Sequence, residues 1–67
     1  MNRTTIQDVT SEQVRALLFE AQRTCNEKLE STCEKALWHI AWNSSWRDED
    51  DPNLLECVRV MNEKEGY

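Results

Sequence analysis

Glycine and proline are almost missing from this 67-residue chain: Gly66 is the only glycine and Pro52 the only proline. Sheets need tight turns, and turns draw on Gly, Pro, Asn and Asp. From Thr10 to Asn43 there is almost no turn chemistry. Glu, Gln, Lys, Arg, Ala and Leu abound instead, and these are good helix formers. The scarcity argues against a sandwich or barrel and predicts an all-α protein, one helical domain over residues 1–67.

Basic residues are few, with 8 Lys and Arg against 13 Asp and Glu and a net charge of −5. Arg3, Arg15, Arg23, Lys28, Lys35, Arg47, Arg59 and Lys64 are scattered rather than clustered. Non-specific nucleic-acid binding draws on clustered cations, so the charge pattern favours a protein-binding or self-associating module. No run of ~18 apolar residues exists to span a membrane. Residues 1–20 lack the apolar run and small-residue cleavage site of a signal peptide. The three cysteines, Cys25, Cys33 and Cys57, are an odd number. Together these predict a reducing, cytoplasmic setting and free thiols rather than a disulfide framework.

Small chains are hard to stabilise. A domain of this length buries only ~60% of the surface its unfolded chain exposes. With disulfides disfavoured, a partner subunit becomes a natural source of stability.

Two helix starts are legible. In "VTSEQV", Thr10 suits an N-cap, Gln13 can reach back to complete a capping box, and Val9 and Val14 stand where a hydrophobic staple needs them. Residues 1–9 then form an extended or frayed arm, with Ile6 able to tuck onto the bundle. In "DEDDPN", Pro52 suits the first helical position and Asp51 the N-cap. Asp48, Glu49, Asp50 and Asp51 lie beside the positive end of that helix. This helix is predicted over about 52–65, with Leu54, Val58 and Met61 on its inner face, Leu55 and Cys57 flanking, and Gly66 closing it.

The middle of the chain has two readings. Val14, Leu18, Cys25, Leu29, Ala36 and Ile40 recur with spacings of four and seven, a period of eleven that keeps a stripe on one face of a nearly straight helix. No Gly or Pro interrupts it, so the pattern favours one long helix over about 11–44. Alternatively "STCE" is a second capping box with Ser31 as cap, the chain breaks near 29–31, and a three-helix monomer results. A helix of ~34 residues would be ~50 Å long, whereas the second helix covers only ~20 Å. Val14, Leu17, Leu18, Ala21, Cys25 and Leu29 would then be left in water, which predicts a dimeric bundle of helical hairpins.

All three tryptophans fall in "KALWHIAWNSSW", at Trp38, Trp42 and Trp46. At 100° per residue Cys33, Ala36, Leu37 and Ile40 share one side, and the tryptophans lie roughly opposite. A helix apolar on two sides needs two surfaces to pack on. The tryptophans are therefore either core beneath a returning loop or an interface, where Trp is enriched. His39 reads as a rim residue. Cys25, Cys33, Cys57 and His39 lack the close-pair spacing of zinc sites, and "DEDD" lacks the glycine and distal Glu of a calcium loop. With no phosphate loop, no nucleophile paired to a base and no carboxylate dyad, the residues point to no enzyme and no cofactor.

In format (short, glycine-poor, acidic and helical) the chain resembles the small accessory proteins of temperate bacteriophages, lambda-like ones included, and of plasmids. The resemblance covers the whole chain and implies a regulator that binds a host or phage protein in the host cytoplasm. The leading expectation is a non-enzymatic homodimeric interaction module, with Val14, Leu17, Leu18, Ala21, Cys25, Leu29, Trp38, Trp42 and Trp46 at a dimer or partner interface. The alternative is a nucleic-acid-binding transcriptional regulator on a helical dimer, using Arg15 and Arg23, which lie eight residues apart.

Overall fold

Thr10 caps the first helix as its sequence requires. Its hydroxyl accepts from the Gln13 amide at 3.2 Å, and the Gln13 side chain accepts from the Thr10 amide at 2.8 Å. Val9 and Val14, either side of the cap, are both fully buried, so the staple closes as well. The computed structural model describes residues 3–43 and 46–66. Among them are three helices, α1 (Ser11–Arg23), α2 (Glu27–Trp42) and α3 (Pro52–Lys64), and no strand.

The long helix over 11–44 is therefore two helices. Residue 44 itself lies outside the described residues, and helix α2 ends at Trp42. The break falls at Thr24–Cys25–Asn26 rather than near 29–31, and Ser31 sits inside α2 instead of capping it. Asn26 is the cap: its side chain accepts from the Leu29 amide at 3.2 Å. The chain reverses there without glycine. Cys25 adopts a positive φ of 57°, the Asn26 amide donates to Ala21 O at 2.8 Å, and the Cys25 amide donates to Gln22 O at 3.2 Å. These two bonds form a Schellman closure, whose left-handed position usually holds glycine. A side chain there costs about 1–2 kcal/mol.

Each helix buries one narrow stripe: Val14, Leu17 and Ala21 from α1, Cys33, Ala36 and Ile40 from α2, and Leu54, Cys57, Val58 and Asn62 from α3. Spacings of three and four residues put each set on one face. Helix α2 is central, packing against both α1 and α3, which touch each other little. The Cα radius of gyration is 11.1 Å and the longest extent 31 Å, too short for a continuous helix of ~50 Å. The residues that a long hairpin would have left in water are covered from within the chain: Val14, Leu17 and Ala21 are buried, and Leu18 and Leu29 pack against the core. Cys25, counted in the apolar stripe, is exposed.

Helix α3 starts as predicted, with Pro52 in its first turn and the Asp51 carboxylate accepting from the Leu54 amide at 3.1 Å. Gly66 follows its end at φ 90°. The N-terminal arm is docked rather than frayed over residues 3–9. Ile6 and Val9 enter the core. Asn62, 5% exposed, accepts from the Thr4 amide at 2.9 Å and donates to Thr4 O at 3.0 Å. Farther along, Arg47 donates to Gln7 O at 2.9 Å, and Gln7 donates to Arg47 O at 3.3 Å. The arm is thus held by α3 at one end and by the α2–α3 connection at the other.

Candidate interaction surface

Helix α2 faces the core with Cys33, Ala36 and Ile40, flanked by the partly covered Leu29 and Leu37, and the small Cys33 and Ala36 let neighbouring helices approach closely. Its two tryptophans point outward. Trp38 and Trp42 are 70% and 73% exposed. Their rings meet edge to face, centroids 6.1 Å apart at 82°, the arrangement favoured by the ring quadrupoles. Trp46 lies beyond the helix, in the connection to α3, and is 59% exposed.

The connection fixes Trp46 through its neighbours. The Trp46 amide donates to Asn43 O at 3.1 Å. The indole sits beside His39, centroids 6.0 Å apart and tilted by 48°. The Asp48 amide donates to His39 Nε2 at 3.2 Å, so this nitrogen serves as an acceptor. His39 acts here as a strut for the loop.

Two open grooves flank Trp38. One, of about 590 Å³, runs between α1 and α2 and is lined by Arg15, Glu34, Leu37, Trp38, Ile40 and Ala41 among others. The other, of about 570 Å³, lies between α2 and the start of α3 and is lined by Lys35, Trp38, His39, Trp42 and Asp51 among others. Trp38 is therefore a ridge between two hollows. The patch also mixes charge, with Arg15 and Lys35 beside Glu34 and Asp51.

The residues named from sequence separate into two groups. Val14, Leu17 and Ala21, with the partly covered Leu18 and Leu29, belong to the chain's own core, and Cys25 stands alone in the α1–α2 turn. Trp38 and Trp42 stand together at the surface, and Trp46 is exposed beside His39. Arg15 and Arg23 are both exposed on α1, but Arg15 shares its groove with Glu34 and Arg23 shares another with Glu20. Neither presents an isolated cationic face.

Several features have weaker sequence signals. Phe19 is 63% exposed on α1; its position two residues after Leu17 puts it opposite the buried stripe. Asn62 continues the spacing of Leu54 and Val58, a polar residue in an apolar register. Cys33 and Cys57 lie in contact across α2 and α3, Sγ atoms 3.8 Å apart. Burial pushes the Cys57 thiol up to about 12, with the neighbouring Cys33 adding to the rise. Burial likewise raises the Cys33 thiol. On the outer side of α3, Arg59 bridges Glu56 and Glu63 at 2.7 Å each, and its hydrogen bond lowers the Glu56 carboxyl. Lys64 pairs with Glu20 and ties the end of α3 to α1. Among the described residues no group of three or more His, Cys, Asp or Glu is placed to hold a metal ion, and no helix is long and apolar enough to cross a membrane. No protein-family model, no curated protein and no solved structure matches this chain.

Proposed function

We propose that this protein is a non-enzymatic interaction module whose docking surface is the tryptophan face of α2, and that its first occupant is a second copy of the chain. One observation carries the reading: the three tryptophans stand exposed, Trp38 and Trp42 ring against ring and Trp46 beside His39, and the fold does not need them there. At ~250 Å² per indole, the exposures of 70% and 73% leave about 360 Å² of aromatic surface open on α2 of each copy, and Trp46, 59% exposed in the connection beyond it, adds about 150 Å². Two such faces brought together bury ~700 Å² from the α2 tryptophans alone, and ~1,000 Å², the lower bound for a specific interface, once Trp46 joins them.

Shape supports self-pairing. A two-fold interface must be complementary to itself, and a ridge flanked by grooves meets that condition. Trp38 of one copy can enter a hollow beside Trp38 of the other. Lys35 lies one helical turn before Trp38, within reach of a facing indole, where a cation is attracted to the ring. The net charge of −5 opposes association, so added salt strengthens the dimer by screening that repulsion. A regulator acting through such a dimer, as the phage and plasmid resemblance implies, would bind its target with the surfaces left free.

The test is sedimentation over a wide concentration range, comparing the wild-type chain with a Trp38→Ala, Trp42→Ala double variant. The expected result is a concentration-dependent dimer for the wild type and a monomer of unchanged helicity for the variant. A wild type that stays monomeric at the highest concentration removes the second copy as occupant. A variant that still dimerises removes the tryptophan face.

A further inference from the structure

Cys33 and Cys57 are fully buried, and their sulfurs face each other at 3.8 Å across the α2–α3 contact. A disulfide needs ~2.05 Å, so each sulfur has less than ~1 Å to travel. Both side chains already point into the same gap, as the Cys57 thiol donates toward Cys33 Sγ. The third cysteine, Cys25, is exposed in the α1–α2 turn and takes no part in this contact. An odd cysteine count therefore hides a paired set and one single.

We propose that Cys33 and Cys57 form a disulfide site: an intramolecular bond that staples α2 to α3 when the chain meets a low-molecular-weight disulfide such as oxidised glutathione. In the closed fold both thiols are buried and held in the protonated form, so neither attacks. A local separation of α3 from α2 exposes one of them. Its thiolate attacks a sulfur of the oxidant, breaking that S–S bond and expelling one glutathione thiolate. The second protein thiolate then attacks the protein-side sulfur of the mixed disulfide and expels the second glutathione. The two protein protons end on the two glutathione thiols, so one dithiol and one oxidised glutathione become one protein disulfide and two reduced glutathiones.

Formation is gated by opening of the bundle, and the product restrains that opening. The bond closes a loop across a separation of 24 residues, which restricts the unfolded chain and raises the melting midpoint by roughly 10–20 °C. The site lies on the opposite side of α2 from Trp38 and Trp42. Oxidation leaves the tryptophan face free, and the proposal stands or falls independently of self-pairing.

The experiment uses a Cys25→Ser chain, so that no intermolecular bridge forms through the exposed thiol. The protein is equilibrated in mixed oxidised and reduced glutathione with urea below the unfolding transition, approached from both the reduced and the oxidised denatured states. It is then quenched with an alkylating reagent, digested and weighed. The expected product has lost two hydrogens, carries no alkyl group or glutathione, yields a peptide joining Cys33 to Cys57, and melts higher until reductant is added. A Cys25→Ser, Cys57→Ser chain gives no such product. The proposal is overturned if both starting states converge on free thiols or on glutathione adducts in the oxidising buffer. It is equally overturned if the cross-linked chain melts lower than the dithiol.

Discussion

The two faces of α2 reverse the usual division of large and small. Inside stand Cys33, Ala36 and Ile40; outside stand Trp38 and Trp42. The inner face centres on the small Cys33 and Ala36 because α2 is the central helix and two neighbours pack on it, with Ile40, Leu29 and Leu37 filling its edges. The outer face is under no such constraint, and it carries far more apolar area than folding needs. One face is explained by packing within the chain. The other has no explanation within it.

The contrast breaks most sharply on the inner side. Ile40→Ala removes a buried branched side chain and leaves a void, at a cost of about 2–5 kcal/mol. A chain of this length has only about 3–10 kcal/mol to lose, so urea unfolding should begin at much lower denaturant, if the variant folds at all. Alkaline pH attacks the same side more gently. The Cys57 thiol is raised to about 12 in the fold, against ~8.5 for an unperturbed thiol. The unfolded chain therefore releases its proton first. Stability from this group is complete below the unfolded value and falls, by up to ~1.4 kcal/mol per pH unit, as pH rises toward 12. Unfolding midpoints measured from neutral pH upward should decline from about pH 9, and a Cys57→Ala chain should lack this part of the decline.

A smaller effect, of opposite sign, belongs to the turn that aligns α1 with the inner face. Cys25→Gly relieves the left-handed strain and should stabilise by about 1 kcal/mol, offset in part by the flexibility glycine adds to the unfolded chain. Least of all, Trp38→Ala on the outer face should shift stability by no more than ~0.5 kcal/mol, as expected for surface positions. A large loss at concentrations where the wild type is monomeric would show that the outer face is part of the fold after all; a loss that grows with protein concentration belongs to the dimer.

Much of this architecture was legible because caps are local. Thr10 with Gln13, Asp51 with Pro52, and Gly66 each satisfy or terminate backbone groups within a few residues, so their chemistry shows in the chain itself. The break at 24–26 does not show in that way. Its left-handed residue is a cysteine, and the absence of glycine there argued for one continuous helix. The α1 stripe of Val14, Leu17 and Ala21 finds cover only by folding back on α2, a tertiary gain that outweighs the strain at Cys25. Asn26 did carry a signal, since a short polar side chain before "EKLE" is a fair N-cap. The period-eleven stripe concealed it by placing Cys25 and Leu29 on one imagined face. The helical wheel placed Trp38 and Trp42 opposite Cys33, Ala36 and Ile40, where they stand. It placed Trp46 there as well, wrongly, because the helix ends four residues earlier and Trp46 lies in the connection to α3. The Cys33–Cys57 contact joins two helices across a long connection and has no local signature.

The pairing of Asn62 with Thr4 spans 58 residues of sequence, and this makes it a kinetic feature as well as a structural one. Contacts between neighbouring helices close short loops and form early, whereas a contact across nearly the whole chain carries the greatest closure entropy. The arm should dock after the rate-limiting step, on a bundle already assembled. Asn62→Ala should then accelerate unfolding in stopped-flow experiments while leaving the refolding rate nearly unchanged. The two ends of the chain would act as a latch that sets how long the folded state lasts rather than how fast it is reached.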